Sequence, residues 1–333
     1  MVDLPGRFFV EETSFILAED LDAETIEAHF VALIDLLTSC RREKRTVTRA
    51  ARLFEVEVRP GLPLYTLLFS TLDELSIDRD IRLGLSTALD QCVEWDDLVN
   101  PPPNPRVTVT EVECESVTIA LVHSQITNGR GAACLCLGAR IDRSTPRAVT
   151  VGTSTKEVHF ITEPCNLRLF FRTLPELEDL NNEEYMANAA DAFPDLAFVP
   201  KLASQFSHFR TKYREARPEV TRHLAVLNDD FQRIFEGYGF KPHETQVALN
   251  DLGVNASPES PKVRANAKAM KQRDVEVDVV TIGHRTLNVG TTVRCEWHTK
   301  IHATADRIHF HPGKTAIAEG HVLVGIFAEH LLT

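Results

Sequence analysis

A chain of 333 residues that is 25% charged, with a net charge of −12, is globular and long enough for two or three domains. No run approaches the roughly 18 apolar residues of a membrane span. The first twenty residues carry Asp3, Glu11, Glu12, Glu19 and Asp20 rather than a cationic start and an apolar core, so no signal peptide is expected and a cytoplasmic protein without a membrane partner is implied. The seven cysteines, odd in number and without recurrent pairing, suit that reducing compartment.

Helical periodicity dominates the first hundred residues. From Glu24 to Ser39 the apolar positions Ile26, Phe30, Leu33 and Leu37 share one stripe, behind Asp20 and Asp22 as possible caps. A second helix is predicted from Ile81 to Trp95, on Ile81, Leu85, Leu89 and Val93. The run Arg41-Arg42-Glu43-Lys44-Arg45, with Arg49 and Arg52, reads either as a phosphate patch or, more simply, as a solvated helix end. Asn100-Pro101-Pro102-Pro103-Asn104-Pro105 then stops regular structure and marks a boundary or stiff connector.

Between Val107 and Leu174 the period changes to two. Strands are predicted at Val107 onward, Val117 to Val122, Ala133 to Leu137, Val149 to Val151, Val158 to Ile161 and Leu167 to Phe171, with Asn128-Gly129-Arg130-Gly131 as a hairpin loop. Neither phosphate-cradling glycine motif, GxxxxGKS or GxGxxG, occurs anywhere in the chain. From Asn181 to Phe240 two helical stripes return, Leu202, Phe206, Phe209 and Tyr213, then Val220, Leu224, Leu227, Phe231 and Ile234, separated near Arg217-Pro218. The run Asn255-Ala256-Ser257-Pro258-Glu259-Ser260-Pro261 and the polar residues to Arg273 read as a linker.

Titratable chemistry concentrates at the end. Seven of the thirteen histidines lie between His284 and His330. Residues 251–333 carry 10 basic and 9 acidic groups, whereas residues 1–250 carry 26 and 39, so only the last quarter suits a polyanion. Within it, Val293, Cys295, Trp297 and Thr299 alternate with Arg294, Glu296, His298 and Lys300, and Arg307-Ile308-His309-Phe310-His311 alternates likewise. His321 to Phe327 is a continuous apolar run, as in a strand covered on both faces. Paired as a meander, these strands would gather His298, Lys300, Arg307, His309 and His311 on one cationic face. Such a face supplies what cleavage of a sugar-phosphate backbone needs without a metal: a base, an acid and fixed positive charge.

The stretches Cys295-Glu296-Trp297-His298-Thr299-Lys300-Ile301, Arg307-Ile308-His309-Phe310 and Val322 to Leu331 resemble the closing sheet of small ribonuclease toxins of the RelE and HigB kind. The resemblance covers under a fifth of the chain, and the basic tail of those toxins is here reduced to Glu329-His330. It implies that Lys300 and Arg307 hold the phosphate while His298, His309 or His330 handle protons. Two readings compete with it. The histidines could be packing residues, or zinc ligands, with Glu296 or Asp306 as carboxylate partners. His298 and His302 lie on one strand face but about 13 Å apart at roughly 3.3 Å per residue, which is too far to share one ion.

The expected architecture is α+β, with a helical domain over 1–100, a β-rich domain over 106–175, and a third part over 176–333 made of a helical layer, a linker and a small antiparallel sheet. The expected function is a metal-independent endoribonuclease, a toxin or anti-phage effector, with His298, Lys300, Arg307, His309 and His330 as catalytic residues and no cofactor or metal. RNA is its expected partner, together with an inhibitory or complex-forming protein. The alternative is a non-enzymatic subunit of a bacterial defence complex whose tail binds nucleic acid or a partner.

Overall fold

The computed structural model describes residues 6–70, 75–95, 106–138, 146–302, 305–313 and 317–331. The chain divides into two compact units, Met1–Phe170 and Phe171–Thr333. It is an α+β protein in which each unit is built on one large sheet. No helix among the described residues is long and apolar enough to cross a membrane.

The first unit contains strands β1 (Phe8–Val10), β2 (Val47–Arg49), β3 (Glu57–Arg59), β4 (Leu62–Pro63), β5 (Val93–Glu94), β6 (Arg106–Val109), β7 (Val112–Glu115), β8 (Ala133–Leu135), β9 (Arg147–Val151) and β10 (Ser154–Ile161). β3 and β4 form a separate hairpin, and the others make one sheet in the order β5-β2-β1-β8-β10-β9-β6-β7. Its first five strands are parallel and the rest antiparallel. β1 and β8, in the parallel half, are wholly buried, the environment that continuous apolar runs such as Phe8-Phe9-Val10 require. The sheet joins what the sequence divides near residue 100, since it takes β1, β2 and β5 from one side and β6 to β10 from the other; the proline-rich connector itself lies outside the described residues.

Both helices expected in the first hundred residues form, the first as Ala23–Arg42, capped by Asp22 on Thr25 N at 2.8 Å, and the second as Arg79–Asp90, capped by Asp78; the second stops short of Val93, which is exposed in β5 rather than part of the helical stripe. Arg49 from the basic cluster is buried, its Nε donating to Leu89 O at 3.0 Å and Nη2 to Glu94 at 2.8 Å, so it ties the sheet edge to a helix. Two predicted strands are helices instead. Val117–Thr127 is capped by Ser116, which accepts from Ile119 N, and its apolar residues are buried almost all round, a pattern that periodicity alone cannot tell from a buried strand. Leu167–Leu177 places Leu167, Phe170, Phe171 and Leu174 at helical spacing. Asn128 to Gly131 is therefore the exit from a helix, with Gly129 at φ +74°, and not a hairpin.

The second unit holds β11 (Leu196–Phe198), β12 (Ala256–Pro258), β13 (Asp274–Ile282), β14 (Arg285–Arg294), β15 (Trp297–Lys300), β16 (Arg307–His311) and β17 (Val322–Ala328). Their order is β12-β15-β16-β17-β11-β13-β14, antiparallel throughout except for β11 with β17. The second apolar stripe of the helical stretch covers one face of this sheet: Phe231 packs on Trp297 and Phe310 at centroid distances of 5.5 and 5.0 Å. Arg217-Pro218 does not separate two helices, because both residues sit inside Tyr213–Val226. The residues expected as a linker are ordered. β12 pairs along β15, with Pro258 at the sheet edge where a missing N–H is tolerated, and Ser260 then caps the short helix Pro261–Ala265 through Val263 N. Gly325 sits at a bulge of β17 opposite β16, where a Cβ would collide with Cys295 Sγ.

Candidate metal centre

β15 and β16 are adjacent and antiparallel, with Trp297 opposite Phe310, His298 opposite His309, Thr299 opposite Ile308 and Lys300 opposite Arg307. The two-residue period separates the hairpin into two faces. Trp297 and Phe310 face the helical layer, while His298 and His309 lie side by side on the other face, their rings tilted by 39° with centroids 5.3 Å apart.

Two residues from the supposed linker close over the imidazoles. Glu259 follows β12 and is fixed by its backbone N–H, which donates to Glu296 O at 2.8 Å. Arg273 precedes β13 and is fully buried; its Nε donates to Glu259 Oε1 at 2.6 Å and its Nη1 to Ala269 O at 2.6 Å. The same Glu259 Oε1 lies 3.5 Å from His298 Nδ1 and 3.8 Å from His309 Nδ1. One ligand atom from each of Glu259, His298 and His309 fits within 4.8 Å of the others. Exposure is 5% for Glu259, 6% for His298 and 0% for His309. Among the described residues, His298 Nδ1 and both ring nitrogens of His309 have no hydrogen-bond partner.

Burial, reinforced by the positive charges of Arg307, Lys300, Arg273 and His330, holds the His298 imidazole down to about 3. His309 is pushed well below the ordinary histidine value, first by burial and then by His298 and Arg273. Both rings are therefore neutral at pH 7 and present lone pairs, the form in which imidazole binds metals. A neutral, enclosed imidazole is a better ligand than general acid.

Of the residues singled out in the sequence, His298, Lys300, Arg307 and His309 occupy two alternate cross-strand pairs, with Thr299 and Ile308 between them, and the exposed His330 is close enough for its charge to depress both imidazoles. Lys300 and Arg307 are half-buried at the rim, and Arg307 Nε is buried without a partner among the described residues. His311 accepts from Gly313 N at 3.1 Å through Nδ1. His302 belongs elsewhere, acting on Glu219 and His223. Neither expected carboxylate partner joins the histidines. Asp306 accepts from Arg210 N and Thr211 N at 2.6 and 3.0 Å, and Glu296 lies half-buried near Arg264. Glu259 and Arg273 were hidden in a segment whose prolines and serines suggest a linker. The available signal was a single glutamate in Ser257-Pro258-Glu259-Ser260-Pro261, where extended backbone before a proline gives way to a capped helix.

No family model, curated protein or solved structure matches the chain.

Proposed function

We propose that the second unit is a metal-binding domain in which Glu259, His298 and His309 hold one divalent transition-metal ion. Convergence of three buried donors, with imidazole nitrogens that nothing else among the described residues satisfies, carries this reading. Ligands about 2.0–2.1 Å from a tetrahedral zinc lie about 3.4 Å from one another. The carboxylate-to-imidazole distances of 3.5 and 3.8 Å therefore need little adjustment. Arg273 orients the Glu259 carboxylate from behind, and a carboxylate has enough lone pairs to accept a guanidinium and a metal together.

Two histidines and one carboxylate leave a coordination position open, as hydrolytic zinc centres do, whereas structural zinc sites close it with a fourth protein ligand. A bound ion would supply Lewis acidity and an activated water. Elemental analysis after loading the full chain with Zn²⁺ and exhaustive dialysis tests the reading. One ion per chain is expected, with loss of the ion in Glu259→Gln and His309→Ala; retention of one ion by both variants places the metal elsewhere and refutes the assignment.

The cationic cross-strand pair of Lys300 and Arg307 favours a second reading, the ribonuclease. RNA cleavage that survives EDTA supports a metal-independent enzyme, cleavage lost with the chelator supports the metal centre, and no cleavage under any condition favours a binding role.

A further inference from the structure

The charge of the proposed centre is unbalanced. Glu259 is the one carboxylate in the buried cluster among the described residues, and Arg273 already neutralises it at 2.6 Å. A divalent ion would bring two further positive charges into a site where Glu259 and His309 are at most 5% exposed. Lys300 and Arg307, paired across the hairpin two residues along from the imidazoles, add two more at the rim. Buried charge without compensation is costly, so such a centre requires an anion. Arg307 offers a place for one, since its Nε is buried and unpartnered among the described residues.

We infer that this centre binds a small phosphate ester, its phosphoryl oxygens reaching the open metal position while Lys300 and Arg307 hold the remaining charge. The inference rests on the metal-centre reading and adds the ligand class. Lys300 and Arg307 offer two cations on one cross-strand pair, the charge of a single phosphate dianion. The net charge of −12 acts in the same direction, because an acidic chain repels a long polyanion more than a single dianion. Arginine and lysine suit the task, one by forked hydrogen bonding and the other as a point charge.

Phenyl phosphate is a suitable probe, titrated calorimetrically into the full chain with and without Zn²⁺, with metal content and melting temperature measured on each sample. Binding should be at least about tenfold weaker without metal, and about tenfold weaker in Arg307→Gln and Lys300→Gln at unchanged metal content, as loss of one charge-assisted contact implies. Lys300 is half-exposed, so its variant keeps the test valid if Arg307→Gln fails to fold. Wild-type phosphate affinity in both variants, or no binding with one ion present, overturns the inference and leaves the metal centre standing. Absence of both metal and phosphate binding overturns both. A single-stranded oligoribonucleotide that displaces phenyl phosphate with at least about tenfold higher affinity also overturns it, in favour of a polymeric ligand.

Discussion

Each unit contains a buried polar cluster around a glutamate, and the two clusters are finished differently. In the first unit Glu11 is fully enclosed just after β1. Its Oε1 accepts from Thr13 N at 2.8 Å and Ser116 Oγ at 3.0 Å, and its Oε2 accepts from Ser14 N at 2.7 Å. Ser14 Oγ in turn donates to Glu11 O and accepts from Leu137 N at 3.1 Å. Burial first, and the neighbouring Glu12 second, raise Glu11 to about 7, yet both oxygens are matched by donors from its own chain. In the second unit Glu259 meets a guanidinium on one side and two unsatisfied imidazoles on the other. A closed cluster of the first kind fixes a turn, whereas one with orphaned donor atoms requires something from outside. The difference lies in the count of partners, since both glutamates are buried.

The largest effects should appear at the open cluster. Replacing His309 with alanine should weaken metal binding by about 100-fold or more, since a ligand matters at least as much as the outer partners whose loss costs 10–100-fold. Saturating metal should raise the stability of the wild-type chain by about 4 kcal/mol at a thousandfold excess over its dissociation constant, and should not stabilise His309→Ala. In the metal-free protein His309→Leu should be neutral or stabilising in urea unfolding, because it removes two unsatisfied nitrogens from a fully buried position. Strong destabilisation of the metal-free protein by that change would mean that the second cluster is as closed as the first.

Glu11→Ala tests the other side of the comparison. It leaves Thr13 N, Ser14 N and the Ser116 hydroxyl without their acceptor and should cost about 3 kcal/mol, with no response to metal. The two tryptophans separate the readouts, Trp95 reporting on the first unit and Trp297 on the second. A smaller effect is expected from His223, 1% exposed, whose imidazole burial depresses to about 4. Its folded value lies below the ordinary 6.5, so the unfolded chain binds the proton more readily. The stability contribution is present above pH 6.5 and is lost as pH falls toward 4, by about 2 kcal/mol at pH 5. Unfolding of the second unit measured at pH 7 and pH 5 should show a slope to which the buried His298 and His309 also contribute, and His223→Leu should reduce the difference by about 2 kcal/mol without abolishing it. The smallest change is Asn181→Ala, which removes an exposed capping box and should cost about 1 kcal/mol.

Much of the hairpin was legible in the sequence. Alternation in Trp297-His298-Thr299-Lys300 and Arg307-Ile308-His309-Phe310 assigns each residue its face, because a strand leaves no other choice once one side is apolar. Helix Ala23–Arg42 was legible through its stripe and the Asp22 cap, and helix Arg79–Asp90 through the stripe Ile81, Leu85 and Leu89, although its end at Asp90 was not. Val117 to Val122 was not, since a helix buried on nearly every side carries no stripe. Glu259 and Arg273 were invisible as partners because their meeting with His298 and His309 depends on β12 running along β15, a pairing between residues some forty positions apart. Alternation gives the face of a strand; it does not give what covers that face.

X-ray absorption spectroscopy at the zinc edge of the loaded full chain reads the ligands of the ion in the second unit. A first shell of nitrogen and oxygen at about 2.0–2.1 Å, with the outer scattering of two imidazoles that falls to one in His298→Ala, is the predicted result. A shell containing sulfur at about 2.3 Å, or spectra identical in the wild type and His298→Ala, would contradict it.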